Sequence, residues 1–120
     1  MKDLYIIGLG GFGREVAWCV ERINDVTPTW NLKGFIDDNE TKWETKEDGY
    51  IVLGDCEYLK QQENAYAVCA VGNAKVRKQI IEKLSNSGVQ FATIVDPSVI
   101  FQREFQLARK LLYVQVQLLQ

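Results

Sequence analysis

The first fifteen residues constrain the fold more than any other stretch. An apolar run from Leu4 to Ile7 leads directly into Gly8-Leu-Gly-Gly-Phe-Gly13, followed by Arg14 and Glu15. Gly8, Gly10 and Gly13 complete a G-x-G-x-x-G pattern, placed where a buried strand should turn into a helix. The first glycine of such a pattern permits a tight turn. The second lets a phosphate approach bare backbone, and the third lets the helix pack close to the strand. The helix start then offers unpaired N–H groups and a positive dipole end to an anion. Phosphate or nucleotide binding is the expected use of this loop. The alternative is a turn whose glycines serve packing alone.

The remaining chain must supply the partners of that first strand. At 120 residues it is one domain by length, long enough to bury a core. The net charge of -2 implies no basic face, so nucleic acid is not an expected partner. The apolar stretch at residues 4–9 is too short for a signal peptide, and no run approaches a membrane span. Cys19, Cys56 and Cys69 form no C-x-x-C pair and read as reduced, mostly buried thiols of a cytoplasmic protein. There is no histidine in the chain. Histidine acid/base chemistry and histidine-ligated metal are therefore excluded, and no catalytic or metal-binding residue is expected.

Val16, Cys19, Val20 and Ile23 recur at helical spacing, with Phe12 and Val16 four apart. Arg14 lies in the first turn and could reach a phosphate or point to water. Residues 30–36 read as a second strand, apolar at 30, 32 and 36, that runs into Asp37 and Asp38. An acidic residue at this place in a nucleotide fold faces ribose or base; a solvated acidic turn is the competing reading. Residues 39–49 read as a polar surface loop. Within it Trp43 either covers the core edge or serves as a base-stacking or lid residue. Residues 50–53 read as extended, and Asp55 as the cap of a short helix over 56–61. Residues 65–71 are almost uninterruptedly apolar, as a strand buried on both faces must be, and they end at Gly72 and Asn73. Those two residues are candidates for lining the same crevice as the glycine loop. A helix is predicted over 74–87, with Val76, Ile80, Ile81 and Leu84 inward, Lys75, Arg77, Lys78, Glu82 and Lys83 outward, and Gly88 as the stop. A strand over 91–95 follows, broken at Asp96-Pro-Ser98, with extended structure resuming at 99–100. The alternation implies an α/β fold: a Rossmann-like three-layer domain, helices on both faces of a small parallel sheet of four or five strands.

Four stretches, "YIIGLGGFGREVA", "GFIDDN", "AVGNAKVRKQI" and "FATIVDPSVI", occur in that order. Together they resemble the N-terminal domain of bacterial sugar acyltransferases of the sialic-acid O-acetyltransferase and bacillosamine N-acetyltransferase type, over residues 2–100. The resemblance implies a domain that binds a sugar, usually nucleotide-linked (UDP- or CMP-type). A following left-handed β-helix of hexapeptide repeats binds acetyl-CoA and carries a catalytic histidine in the family. Gly10, Gly11 and Phe12 match its nucleotide-contacting loop, Asp37 and Asp38 its acidic pair, and Gly72 and Asn73 its middle motif. With Gly8 and Gly13 these are the candidate substrate-binding residues. Two departures stand out. Asp96-Pro97-Ser98 replaces a common His-Pro-Ser, and no hexapeptide repeats follow residue 100, so the chain reads as truncated and not catalytic by itself. No cofactor is expected in it, acetyl-CoA belonging only to a full-length relative.

Residues 101–120 fit nothing in that family and form a separate tail after the domain of residues 1–100. They read either as a C-terminal helix that packs on the sheet or on a second copy of the chain, or as an out-of-frame segment. Shifted by one base, with synonymous codons freely chosen, the stretch can give Ile-Gly and Ala-Gly at hexapeptide spacing. Three functions remain open on sequence: a nucleotide-sugar-binding domain, an NAD-binding regulatory module, and a non-binding remnant that oligomerises through its tail.

Overall fold

The computed structural model describes residues 1–47 and 49–97. The readings made for residues 98–120, the tail and its alternatives included, lie outside the described residues. The elements in chain order are β1 (Lys2–Ile7), α1 (Gly11–Val26), β2 (Trp30–Ile36), a 3-10 turn (Glu40–Lys42), β3 (Lys46–Glu47), β4 (Tyr50–Gly54), α2 (Cys56–Lys60), β5 (Tyr66–Cys69), α3 (Ala74–Leu84) and β6 (Gln90–Phe91). The strands form one sheet in the order β3-β4-β2-β1-β5-β6. β1 is central and pairs in parallel with both β2 and β5. The sheet is α/β and Rossmann-like, as predicted, but with six strands among the described residues and one antiparallel edge. That edge is β3 against β4, with Lys46 opposite Ile51 and Glu47 opposite Tyr50. The predicted featureless loop over 39–49 is thus half structured. Its polar composition hid a two-residue strand whose pairing comes from its neighbour.

Alternation along the strands sorts the core onto two faces. Leu4 and Ile6 meet Val16, Ala17 and Val20 of α1 on one face, with Phe35, Val52 and Val68. Tyr5 and Ile7 meet Cys56 and Leu59 of α2 and Ile80 and Leu84 of α3 on the other. Leu4, Ile6, Phe35, Ile36, Val52, Leu59 and Val68 are fully buried. Each such side chain contributes about 1.5–3 kcal/mol relative to exposure.

Ile36 does not share a face with Trp30 and Leu32, contrary to the predicted alternation. The β1–β2 register shifts between Leu4↔Leu32 and Tyr5↔Gly34, so Lys33 is an extra residue on β2. This bulge returns Phe35 to the face of Trp30 and Leu32 and sends Ile36 to the opposite one. Gly34 is required there. Its φ is 154°, and a Cβ would lie 2.4 Å from the Ile51 carbonyl oxygen.

α3 ends at Leu84 rather than Ser87. Ser85 and Ser87 hydroxyls donate to the Glu82 and Leu84 carbonyls, and Asn86 takes a φ of 63°. These local bonds compete with helix continuation. β6 is shorter than predicted, ending at Phe91, and beyond it the Ala92 amide still bonds β5 at the Ala67 carbonyl. Among the described residues no helix is long and apolar enough to cross a membrane.

Candidate functional site

β1 leads to β2 and then to β4 on one side, and the chain returns to place β5 on the other side of β1. The strand order therefore reverses at β1. At such a switch point the connections leave toward opposite faces, opening a crevice at the carboxyl ends of the strands. A cleft of about 500 Å³ lies there. Its floor is the end of β1, with Ile7 and Gly8; Leu9, Gly11 and Phe12 form one wall. Ile36, Asp37 and Asp38 close one end, and Ala70, Val71 and Gly72 the other, with Val76 and Ile80 of α3.

The glycine loop has the backbone its sequence demands. Gly8 and Gly10 have φ of 106° and 98°, where L side chains are strained. A Cβ on Gly8 would also meet Val71 Cγ2 at 2.9 Å and the Ala70 carbonyl oxygen at 3.0 Å. A Cβ on Gly13 would lie 2.5 Å from the Gly8 carbonyl oxygen, so this residue sets how closely α1 approaches β1. α1 has no side-chain cap and no acidic residue in its first turn. Its first amides have no intrahelical acceptor and remain available to a ligand.

Asp37 and Asp38 are adjacent but differently engaged. Asp37 Oδ1 accepts from the Asn39 amide at 2.8 Å, while the Asp37 carbonyl accepts from Trp43 Nε1 at 2.8 Å. Trp43 thereby braces the end of β2 and packs on the core edge. Asp38 Oδ1 accepts from the Cys56 amide at 3.2 Å and Oδ2 from Lys83 Nζ at 3.1 Å. Partial burial pushes the Asp38 carboxyl up, but these two donors outweigh it and hold it below the usual value. Asp38 thus ties β2 to α2 and α3, leaving Asp37 as the carboxylate with an oxygen making no hydrogen bond among the described residues.

Of the predicted residues, Gly8, Gly11, Phe12, Asp37, Asp38 and Gly72 line one cleft. Gly10 and Gly13 shape its loop from behind. Asn73 caps α3 instead of lining the cleft, its Oδ1 accepting from the Val76 amide at 3.0 Å. Arg14 is engaged by Glu47 of β3 at 2.9 Å. Asp96 is held by Arg22 of α1, Nε to Oδ2 at 2.8 Å, and is not part of the cleft. α3 is also rotated from its predicted setting. Val76 is 40% exposed and faces the cleft, whereas Arg77, expected on the wet face, is 6% exposed. Arg77 Nη1 donates to the Val71 carbonyl at 2.6 Å and the Gly72 carbonyl at 2.9 Å. Helical spacing could not show this, because the acceptors belong to the turn before the helix.

The profile of the PglD N-terminal domain family matches residues 3–84. This chain belongs to that family. The matched span of this PglD-type N-terminal domain includes every residue of the cleft. Among solved structures, WeeI from Acinetobacter baumannii AYE is similar with 22% identity and a TM-score of 0.62. The acetyltransferase domain of PglB from Neisseria gonorrhoeae FA1090 is similar with 23% identity and a TM-score of 0.63. In both comparisons the match covers 81% of this chain and 45% of the other, so the chain spans under half the length of either protein. UDP-D-quinovosamine 4-dehydrogenase from Vibrio fischeri shares the fold at 21% identity and a TM-score of 0.51, with 75% of each chain covered. No curated protein matches the sequence.

Proposed function

We propose that this PglD-type domain binds a nucleotide-linked sugar, of the UDP or CMP type, and performs no chemistry alone. The observation that carries the reading is the convergence of three separate motifs on one cleft: the glycine loop, the acid at the end of β2 and the turn after β5. The first amides of α1 would hold the phosphates, and Asp37 would accept hydrogen bonds from ribose or base. Phe12, Leu9 and Val76 give the apolar surface against which a base can lie. Acetyl transfer and acetyl-CoA binding would belong to a following domain, consistent with the greater length of the related structures. Among the described residues no group of carboxylates and thiols is placed to hold a metal ion.

NAD is the competing ligand, because the glycine pattern and Asp37 also suit a dinucleotide. Thermal shift with UDP-sugars, CMP-sugars and NAD, followed by titration, separates the two. A UDP- or CMP-sugar should raise the melting temperature in a saturable way, and NAD should not. A preference for NAD refutes the proposal. Loss of the shift in Asp37→Ala, with the melting temperature of the free protein little changed, would place the nucleoside at Asp37.

A further inference from the structure

Arg77 lies within the stretch AVGNAKVRKQI but is not among its candidate binding residues, and its acceptors are two residues of the cleft wall. It is nearly fully buried, and among the described residues no carboxylate comes within ion-pair distance of it. Its Nε makes no hydrogen bond there either. A buried guanidinium kept without a counter-ion is costly, so its two acceptors matter. Both are main-chain carbonyls of consecutive residues, Val71 and Gly72, and one nitrogen, Nη1, holds both.

The described chain has no cis peptide bond. In a trans peptide the carbonyl and the following N–H point in opposite directions. Fixing the Val71 and Gly72 carbonyls toward Arg77 therefore turns the amides of Gly72 and Asn73 the other way. Val71 and Gly72 line the cleft and Arg77 does not, so those amides are directed to the ligand side. Neither amide has an acceptor among the described residues. Further along, the Val76 amide donates to Asn73 Oδ1 and the Arg77 amide to the Asn73 carbonyl. α3 carries no acid in its first turn to compete for an anion.

We infer that Arg77 is a positioning residue that makes the Gly72–Asn73 turn an anion-binding wall, opposite the amides of α1. It never touches the ligand. It aims two main-chain donors at it and lends uncompensated positive charge from behind. A diphosphate would then be held from both sides, by the start of α1 and by the turn before α3. This assignment rests on the nucleotide-sugar reading for its ligand, but not for the carbonyl-holding role.

The test uses Arg77→Met and Arg77→Lys, with Leu84→Ala as a buried change in the same helix remote from the cleft. UDP, CMP and uridine are titrated into each protein, and amide hydrogen exchange is followed at residues 76 and 77. In Arg77→Met, UDP should bind about tenfold more weakly or worse, as expected when charge-assisted hydrogen bonds are lost, with uridine unchanged. Arg77→Lys, which keeps the charge, should recover part of the loss. Leu84→Ala should lower the melting temperature without altering the ratio of UDP to uridine affinity. Wild-type affinity for UDP in Arg77→Met, or an equal loss for UDP and uridine, overturns the assignment. If the unaltered protein binds neither UDP nor CMP, the nucleotide reading itself fails, and exchange decides the remainder. Faster exchange of the amides at 76 and 77 in Arg77→Lys than in Leu84→Ala supports the carbonyl-holding role, and equal exchange overturns it.

Discussion

Adding one methyl group to the glycine loop should change stability with opposite sign at two positions only two residues apart. At Gly13 a Cβ would sit 2.5 Å from the Gly8 carbonyl oxygen, where ordinary contact begins at 3.4 Å. α1 or the loop must therefore give by roughly 0.9 Å, the difference between those distances. The obstacle is backbone, so no side-chain rotation relieves it, and Phe35 Cε1 at 3.4 Å blocks a sideways escape. Overpacking of this kind costs about 1–3 kcal/mol, from which a helix-propensity gain of about 0.5–1 kcal/mol is subtracted. A net loss of about 1 kcal/mol is expected for Gly13→Ala, lowering the melting temperature by about 4 °C in a domain of this size. At Gly11 nothing lies within 4 Å of the added carbon and φ is not positive. Gly11→Ala should gain about 0.4–1 kcal/mol by restricting the unfolded chain. It also places a methyl on the cleft wall, so the more stable variant should bind nucleotide less well. Urea and thermal unfolding of both variants check the signs, and a ligand titration checks the cleft. Equal melting temperatures for the two variants would refute the packing account of the loop.

Two other outcomes follow from the polar contacts. Because the Asp38 carboxyl is held below its ordinary value, its stabilising effect is complete above the unfolded value near 3.9 and is lost as pH falls through the folded one. The stability difference between wild type and Asp38→Asn should shrink as pH drops from about 5 to 3, starting from no more than about 1 kcal/mol for so exposed a pair. Burial, with nearby Asp38, pushes the Cys56 thiol up to about 12, and burial, with nearby Asp96, pushes Cys19 to about 11. A thiol reagent at pH 8 should therefore react slowly with the native protein and rapidly with all three cysteines in denaturant; fast native labelling at Cys56 would contradict the packing of α2.

The strand–glycine loop–helix unit was legible because each of its residues answers a local demand that sequence displays: turn geometry, close approach, helical spacing. β5 was equally plain, since an uninterrupted apolar run has few other uses. What escaped notice depended on partners distant in sequence. β3 exists because β4 offers an edge, and nothing in Lys46-Glu47 announces it. Asp37 and Asp38 look equivalent in sequence, yet Lys83 and the Cys56 amide claim one of them. Arg77 carries the residue type of a surface position, and only the unpaired carbonyls of the preceding turn account for its burial.

The extra residue at Lys33 has a consequence for recognition. A strand has parity: each position belongs to one face or the other, and a single insertion exchanges odd for even from that point onward. The exchange occurs four residues before the acidic pair, late enough that the first half of β2 packs as though it were absent. It thus sets which face receives Ile36, the last strand residue before that pair and part of the cleft lining. Removing Lys33 would leave the sequence Asp-Asp intact while putting Phe35 and Ile36 on exchanged faces of the sheet relative to Trp30 and Leu32.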